Sequence, residues 1–338
     1  MVPSDFTGSE DHDGTAVASL AEPRPVDSAI QGAHLEAMFG KAVGLCEDKR
    51  LGLKSLLDPG DWVVILISLD TRPGGEFQPG AMTDPRLVRC LAEYLAANRL
   101  GRRFTFATCL GAMAERCWTT DWGGVYDGIS FRKVADEATR RHPGCRFELS
   151  DLERDQIVEA EVPGAGTGSK GVAARLRVPR SILQCDRLIS VAPLRICPRL
   201  GARLTIGNYF GIAPQAIYGD DLAKLASHGS LSEALIDLYA YHPGDFAIAG
   251  GGWGLEAGPA QDSKPASVRH NLLIAGRNPL AVDAVAASVM GLDAGAIDHL
   301  KRAEMEGFGI RDTDSIWVRG REVEQVRRPY RRPAGGLP

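Results

Sequence analysis

Apolar residues in this chain form short, unbroken runs that alternate with amphipathic segments of helical length. The run 62–68 is rich in Val and Ile and has no polar alternation, which is typical of a strand buried on both faces of a parallel sheet. The segment 84–98 has apolar residues at helical spacing, opens with Asp84 as an N-cap and carries Pro85 in its first turn. The same patterns predict strands at 104–109, 157–162, 172–178, 187–191, 245–249, 272–275 and 314–319, and helices at 131–141, 231–239, 279–290 and 294–306.

This alternation predicts an α/β fold with a mostly parallel sheet and flanking helices. It leaves open whether the elements form one layered unit or two lobes around a cleft. Residues 1–27 are rich in Ser, Gly, Pro and Asp without periodicity, which predicts a disordered leader. Residues 326–338 predict a short, basic, flexible tail. We therefore expect a single α/β unit over residues 28–325.

Composition argues against a disordered chain, a collagen, a coiled coil and a small disulfide-stabilised protein. The 338 residues include 39 Lys or Arg and 43 Asp or Glu, so the net charge is −4, and 44% of the residues are hydrophobic. These values are typical of a globular chain, and the slightly acidic balance gives no support for a nucleic-acid partner. The longest apolar run, 62–67, is far shorter than the ~20 residues that span a bilayer, and the acidic start does not resemble a signal peptide. We expect a cytoplasmic protein without a membrane partner.

Local spacing does not indicate a metal site or a nucleotide site. The seven cysteines include no C-x-x-C pair, and the histidines show no H-x-x-x-H spacing, so only the fold could assemble metal ligands. The segment 166–171 (GTGSKG) matches the G-x-G-x-x-G pattern of dinucleotide sites. An alternating, strand-like stretch follows it instead of a helix, so we interpret it as a loop between strands. No nucleotide cofactor is predicted, and a metal ion stays open.

Two segments place polar or glycine residues at predicted strand ends, where α/β folds bind ligands. Asp70 and Arg72 follow the first buried strand, and an arginine there could hold a carboxylate or phosphate through paired hydrogen bonds. The glycine cluster 250–259 follows another strand and carries Glu256. This cluster predicts either a ligand-facing loop or a tight connection.

Several segments resemble the domain-of-unknown-function family 362. The strongest is 273–291 (LIAGRNPLAVDAVAASVMG), and 297–300 with 307–309, 185–193 (CDRLISVAP) and 254–259 (GLEAGP) follow the same order of blocks. The resemblance covers about residues 60–320. It implies an α/β, enzyme-like fold with a polar cleft and some links to redox or specialised metabolism.

The chain departs from the family pattern at two places. Where family members have a Lys-Thr-His triplet, this chain has Arg195, Ile196 and Cys197, and in the next block it keeps Asn208 but no lysine. The ferredoxin-like cysteine cluster of some members is also absent. A shorter similarity links 70–73 (DTRP) to the N-terminal motif of nickel-dependent lactate racemases.

Our leading hypothesis is an enzyme that acts on a small anionic metabolite by carboxylate acid–base chemistry of isomerase, lyase or hydrolase type. Arg72 and Arg195 would bind the anion, and Glu256 and Asp283 would be the acid–base pair. The remaining candidates are His299 as a catalytic partner and four substrate-binding residues, Asp70, Asn208, Gly252 and Gly254.

Two alternatives stay open. The first is a metal- or iron–sulfur-linked redox protein whose ligands would be Cys197, His299, Glu256 and Asp283. The second is a non-catalytic binding or assembly subunit on the same scaffold. The sequence also leaves open whether the protein is a homo-oligomer.

Overall fold

A computed structural model describes residues 15–19, 30–47, 52–69, 78–163, 175–219, 230–258 and 264–333. The strands in chain order are β1 (Thr15–Ser19), β2 (Trp62–Ile67), β3 (Arg103–Thr108), β4 (Arg146–Asp151), β5 (Ile157–Glu161), β6 (Arg175–Pro179), β7 (Arg187–Ala192), β8 (Ile196–Cys197), β9 (Gly201–Ala202), β10 (Phe246–Glu256), β11 (Ala266–Gly276) and β12 (Val318–Gly320). The helices are α1 (Gly32–Glu47), α2 (Pro85–Ala97), α3 (Ala114–Thr119), α4 (Phe131–Arg141), α5 (Arg180–Gln184), α6 (Gln215–Tyr218), α7 (Leu231–Tyr239), α8 (Pro279–Val289), α9 (Asp298–Met305) and α10 (Val323–Val326).

Eight of these strands form one central sheet in the order β12-β1-β11-β10-β7-β2-β3-β4. The five neighbours from β10 to β4 run parallel to one another, whereas β11 is antiparallel to both β10 and β1. The prediction of an α/β fold with a mostly parallel sheet and flanking helices is confirmed. The other described strands form two small two-stranded sheets, β5-β6 and β8-β9.

The residues of β2 show why this sheet is buried on both faces. Val64 and Leu66 lie in one hydrophobic cluster with helices α7 and α8, while Val63, Ile65 and Ile67 lie in a second cluster with α1, α2 and α4. Because successive side chains of a strand point to opposite faces, a run without polar residues fits only a strand covered on both sides.

Capping residues set the starts of the helices next to the sheet. The Asp84 side chain accepts a hydrogen bond from the backbone N–H of Arg86 at 2.9 Å, and Pro85 is the first residue of α2, as predicted. Asn278 caps α8 in the same way, with Pro279 at its first position. In the part of the chain that the structure describes, no helix is both long and apolar enough to cross a membrane.

Residues 250–256 of the glycine cluster lie within a strand, so the prediction of a ligand-facing loop or a tight connection is wrong for them. Strand β10 continues through Glu256, with a bulge between Gly251 and Trp253. Gly250 has φ of +112°, and a Cβ on it would lie 2.1 Å from the Leu272 carbonyl oxygen of the neighbouring strand. The glycines therefore allow a close, bulged strand pairing that other residues would prevent.

Other element boundaries also differ from the sequence predictions. The helix predicted at 294–306 is divided into a 3₁₀ turn, Ala294–Ala296, and α9, and the closing strand is restricted to β12. Strands β5 and β6 lie on either side of the glycine motif, as predicted, and the structure shows that they pair antiparallel. The motif itself, at 166–171, lies outside the described residues.

Both ends of the chain take part in the fold more than their composition suggests. Strand β1, within the predicted leader, pairs with β11 and β12. Within the predicted flexible tail, the backbone N–H groups of Arg328 and Tyr330 donate to the carbonyl oxygens of Val289 and Met290. Tyr330 is buried there, so the segment 327–333 lies against the end of α8.

Candidate functional site

The direction of the chain through the sheet reverses at β2. The chain passes from β2 to β3 and β4 on one side, and later enters β7 and β10 on the other side. In parallel α/β sheets, ligands bind beyond the carboxyl ends of the two strands that flank such a reversal. The carboxyl ends of β2 and β7 therefore define the candidate site. We call it the switch-point site; its described polar residues are Ser68, Thr83, Arg195 and Asn208.

Ser68 and Thr83 form the floor of the switch-point site. The Thr83 hydroxyl accepts a hydrogen bond from the Ser68 backbone N–H at 2.9 Å and donates to the Val191 carbonyl oxygen at 2.8 Å. The Thr83 backbone N–H donates back to the Ser68 carbonyl oxygen at 2.8 Å. These bonds tie the end of β2 to the end of β7 and hold the start of α2 beside both.

Arg195 brings a positive charge to this edge. Its guanidinium donates to the Ala81 carbonyl oxygen at 2.7 Å and to the Ser68 hydroxyl oxygen at 3.1 Å, both neutral acceptors. The backbone is held by a bond from the Leu255 N–H to the Leu194 carbonyl oxygen at 2.8 Å. Arg195 is half-buried.

Asn208 is the second predicted binding residue at this edge. Its amide nitrogen donates to the Val191 carbonyl oxygen at 2.9 Å and to the Ser190 hydroxyl at 3.1 Å. The neighbouring carbonyl oxygens fix the orientation of the amide, because the reversed amide would place oxygen against oxygen. The Oδ1 atom is buried and has no hydrogen-bond partner among the described residues. A buried, unpaired amide oxygen is uncommon and marks Asn208 as a residue with an acceptor to offer.

Asp283 is fully enclosed beneath the 3₁₀ helix Ile206–Ile212, which carries Asn208. Its carboxylate accepts from the backbone N–H and hydroxyl of Thr205 at 2.9 and 2.6 Å, and from the Ile206 N–H at 2.9 Å. Burial raises the pKa of Asp283 to about 7, although these three hydrogen bonds act in the opposite direction. The side chain has no exposed surface in this conformation and holds the helix in place.

Glu256, at the end of β10, contacts the C-terminal segment. Its Oε2 atom accepts a hydrogen bond from the Arg331 backbone N–H at 2.8 Å, and its Oε1 atom lies 3.6 Å from the Arg331 guanidinium. The side chain keeps some exposure. The Leu255 backbone N–H donates to the Leu194 carbonyl oxygen, so Glu256 and Arg195 each directly follow a residue of this backbone contact.

His299 lies on α9 with no exposed surface, and neither ring nitrogen has a hydrogen-bond partner among the described residues. Burial lowers its pKa to about 4, so the ring is neutral at physiological pH. No hydrogen bond between described residues joins any two of Glu256, Asp283 and His299. These three predicted catalytic groups are therefore not linked to one another by hydrogen bonds.

The two predicted binding glycines are used in packing within the protein. A Cβ on Gly254 would lie 2.0 Å from the Tyr330 hydroxyl and 2.8 Å from the Leu194 carbonyl oxygen. A Cβ on Gly252 would meet the side chain of Ile30 at 3.1 Å. The last two predicted binding residues, Asp70 and Arg72, lie outside the described residues.

The proposed metal ligands do not form a set. Cys197 lies in the short strand β8, which pairs with β9. Within the ranges that the structure covers, no three His, Cys, Asp or Glu side chains are grouped as ligands of one ion. The coordination set named from sequence is therefore not assembled from these residues.

Sequence reasoning missed a buried ion pair beside the switch-point site. The Arg86 guanidinium is bound by the Asp84 carboxylate, with a shortest distance of 2.7 Å, and also donates to the Ile30 carbonyl oxygen at 3.0 Å. Burial acts to lower the pKa of Arg86, but the contacts with Asp84 and Asp127 outweigh it and raise the pKa above its ordinary value. The sequence signal for this ion pair is an arginine two residues after an aspartate N-cap. The same spacing occurs at exposed helix starts, so it does not by itself identify a buried pair.

The fold and this edge define a doubly covered α/β protein with a polar site where its sheet changes direction. The sequence profile of the family described as Domain of unknown function (DUF362) matches residues 63–288. This match covers more than half of the chain and includes Ser68, Arg195, Asn208 and Asp283, so the chain belongs to the DUF362 family. The resemblance inferred from the sequence motifs is confirmed.

Comparison with solved structures finds a similar chain in the lactate racemase apoprotein from Thermoanaerobacterium thermosaccharolyticum. The two share 13% sequence identity with a TM-score of 0.42, and the match covers 84% of this chain and 58% of the racemase chain. This chain thus spans less than two thirds of the racemase. No curated protein matches the sequence.

Proposed function

We propose that this protein is an enzyme that binds a small anionic metabolite at the switch-point site and transfers a proton on it. The observation that carries the proposal is the hydrogen-bonded chain from Asn208 through Val191, Thr83 and Ser68 to Arg195. These bonds link Arg195 to Asn208, whose Oδ1 atom has no hydrogen-bond partner among the described residues, at the carboxyl ends of β2 and β7. The family description states no activity, so the proposal rests on the site alone.

Arg195 is the proposed anion-binding group. A half-buried arginine whose guanidinium is oriented by hydrogen bonds to neutral acceptors can bind a carboxylate or phosphate in a fixed direction. Its contacts to Ala81 and Ser68 limit the rotamers it can adopt, so less conformational entropy is lost when an anion binds. Arg72, which follows β2 in the sequence, is the second proposed anion contact.

Asn208 is proposed to orient the substrate through Oδ1. A hydroxyl or amide of a bound metabolite would donate to this oxygen, which has no partner among the described residues. Because the amide nitrogen is held by Val191 and Ser190, the oxygen cannot rotate away. Such an acceptor would favour ligands that carry a donor beside the anionic group.

The structure leads us to divide the predicted catalytic carboxylates. We assign proton transfer to Glu256, which keeps exposed surface and adjoins Arg195 along the backbone. Asp283 and His299 have no exposed surface, so we assign them positioning roles. A reaction of isomerase or lyase type is consistent with one carboxylate that accepts and returns a proton.

Binding and turnover should be tested on the same panel of glycolate, malate and glycerol phosphate. Calorimetry would measure affinity, and ¹H NMR in D₂O would detect exchange of carbon-bound hydrogen. We expect Arg195→Gln to weaken binding of the accepted compound at least about tenfold, and Glu256→Gln to abolish exchange while binding remains. Arg311→Gln, which removes another partly buried arginine, is the control.

Three results would count against the proposal. Equal affinity of the wild type and Arg195→Gln would remove the anion site, and no binding by any panel member would remove the small-anion class. Saturable binding without exchange would favour the non-catalytic binding subunit. Each result differs from loss of folding, which circular dichroism of the variants would show.

A further inference from the structure

A cysteine, a histidine and an aspartate form a hydrogen-bonded series at the edge of the sheet opposite the switch-point site. Cys185 precedes β7 by two residues, and Asp245 directly precedes β10, its parallel neighbour. His242 lies between them, with Nδ1 3.5 Å from the Cys185 Sγ and Nε2 3.4 Å from an Asp245 carboxylate oxygen. The proposed proton-transfer function uses none of these three residues.

The contacts of His242 indicate that both of its ring nitrogens carry hydrogen. Nδ1 lies 2.9 Å from the Ile182 carbonyl oxygen, which can only accept a hydrogen bond. Nε2 faces the Asp245 carboxylate, which is an acceptor when ionised. A ring that donates from both nitrogens is an imidazolium, and its positive charge lies directly beside the sulfur of Cys185.

Surrounding groups keep this charge in place. Asp245 accepts from the Leu188 backbone N–H at 2.8 Å and from the Arg187 guanidinium at 3.0 Å. Burial raises the pKa of Asp245, but the bonds from His242, Leu188 and Arg187 outweigh it and hold the pKa below its usual range. For His242, burial lowers the pKa, but the contacts with Asp245 and Cys185 outweigh it and raise the pKa to about 10.

We propose that Cys185 is a nucleophilic thiol that small hydroperoxides oxidise to a sulfenic acid. The His242 imidazolium lies 3.5 Å from the sulfur, and a cation beside a cysteine is the arrangement found at nucleophilic thiols. Its contact of 3.7 Å with the Ile182 carbonyl oxygen would serve only the protonated thiol.

The reaction is a two-electron oxidation of the sulfur by the peroxide. The Cys185 thiolate attacks the terminal peroxide oxygen, so that an S–O bond forms while the O–O bond breaks. The leaving alkoxide or hydroxide takes a proton and departs as an alcohol or water. The sulfur becomes a sulfenic acid, and the peroxide is the oxidant that is reduced.

Two other thiols, Cys90 and Cys145, have different surroundings. Burial raises the pKa of Cys90 to about 12 and also raises the pKa of Cys145. Cys145 is more exposed than the six buried cysteines, and it follows His142, whose ring pairs with Glu93 at 2.8 Å. The sulfur of Cys145, however, lies near the Gly101 carbonyl oxygen, so Cys145 is a matched control for exposure without activation.

Competitive labelling of the folded full-length chain tests the proposal. Hydrogen peroxide at limiting concentration would be added with dimedone, which traps sulfenic acids, and peptide mass spectrometry would give the rate at each cysteine. We expect Cys185 to react at least about tenfold faster than Cys145, although Cys185 is only 6% exposed. His242→Gln should remove this preference, and His142→Gln should leave it unchanged.

Faster labelling of Cys145, or labelling of Cys185 only after urea is added, would overturn the proposal. An unchanged Cys185 rate in a folded His242→Gln protein would also overturn it. If that variant does not fold, the ratio in the wild type and the rate in Asp245→Asn decide the question. Cys185→Ser should abolish the adduct at this position and leave binding at the switch-point site unchanged.

Discussion

Asp283 accepts hydrogen bonds from both the backbone N–H and the hydroxyl of Thr205, at 2.9 and 2.6 Å. The two residues are 78 positions apart in the sequence, and their contact joins helix α8 to the start of the 3₁₀ helix that carries Asn208. Asp283 therefore holds the start of the 3₁₀ helix that carries Asn208, and its own side chain has no exposed surface. This role explains why a carboxylate is retained in an otherwise apolar stripe of α8.

Asp283→Asn should destabilise the protein more than the loss of one hydrogen bond would. The asparagine NH₂ group must face one of the donors of Thr205 or Ile206, so a donor opposes a donor inside the core. Asparagine also relieves the cost of burying a charge, which raises the pKa of Asp283, so we expect the free energy of unfolding at pH 7 to fall by a net of about 1–3 kcal/mol, and by about 1 kcal/mol in Thr205→Val. Urea denaturation measures both values. A change below about 0.5 kcal/mol in Asp283→Asn would contradict this role.

His299→Phe should leave the protein at least as stable at pH 7 and make it less sensitive to acid. The wild-type ring has two nitrogens without partners in the described structure, and an unpaired buried polar group costs about 1–3 kcal/mol. Its pKa is about 4 in the folded protein, below the ordinary value of 6.5, so the unfolded chain binds more protons between these values. Wild-type stability should therefore fall as pH falls from 6.5 to 4, by up to about 3 kcal/mol from this residue.

The measurement is the free energy of unfolding of both proteins at pH 7, 6, 5 and 4. Contributions from other groups cancel in the difference between the two curves. A constant difference across this range would show that His299 is not held neutral in the fold. A large loss of stability at pH 7 would show that its ring nitrogens have partners.

Gly254→Ala should displace the C-terminal segment from the sheet. The new Cβ would lie 2.0 Å from the Tyr330 hydroxyl and 2.8 Å from the Leu194 carbonyl oxygen, and the second contact is with backbone. We expect a loss of about 1–3 kcal/mol and faster proteolysis after residue 326. Gly124→Ala is the control, since a Cβ there meets nothing within 4 Å. Equal stability of the two variants would disprove the close packing of Tyr330.

Arg86→Met should be among the most destabilising substitutions at a buried position, because it leaves the Asp84 carboxylate buried without its cation. Breaking one side of a buried pair lowers the free energy of unfolding by about 3–5 kcal/mol. Arg141→Met removes a half-exposed arginine that lies 2.7 Å from Glu93, and it should change stability by less than about 1 kcal/mol. Denaturation of both variants under one condition gives the comparison, and similar losses would refute it.

The local signals in the sequence were sufficient for the elements that are defined by their own residues. Helix α2 begins where Asp84 and Pro85 predict, α4 and α7 have the predicted bounds, and the unbroken apolar run of β2 is buried on both faces. Capping bonds and side-chain periodicity act within a few residues, so they can be read along the chain. The motifs of residues 185–193 and 273–291 likewise identified the family.

Only the tertiary structure decided which polar residues meet. The glycines after residue 249 continue a strand because β11 lies against them, and Glu256 faces Arg331, a residue 75 positions away. The contacts of Asp283 with Thr205 and of Cys185 with His242 likewise join residues that are distant in the sequence. Whether a carboxylate, thiol or imidazole is a structural or a reactive group depends on its burial and its partners, and both arise from contacts between distant segments. The sequence by itself therefore determined the elements and the family, whereas the arrangement of charge at the two edges of the sheet was decided by folding.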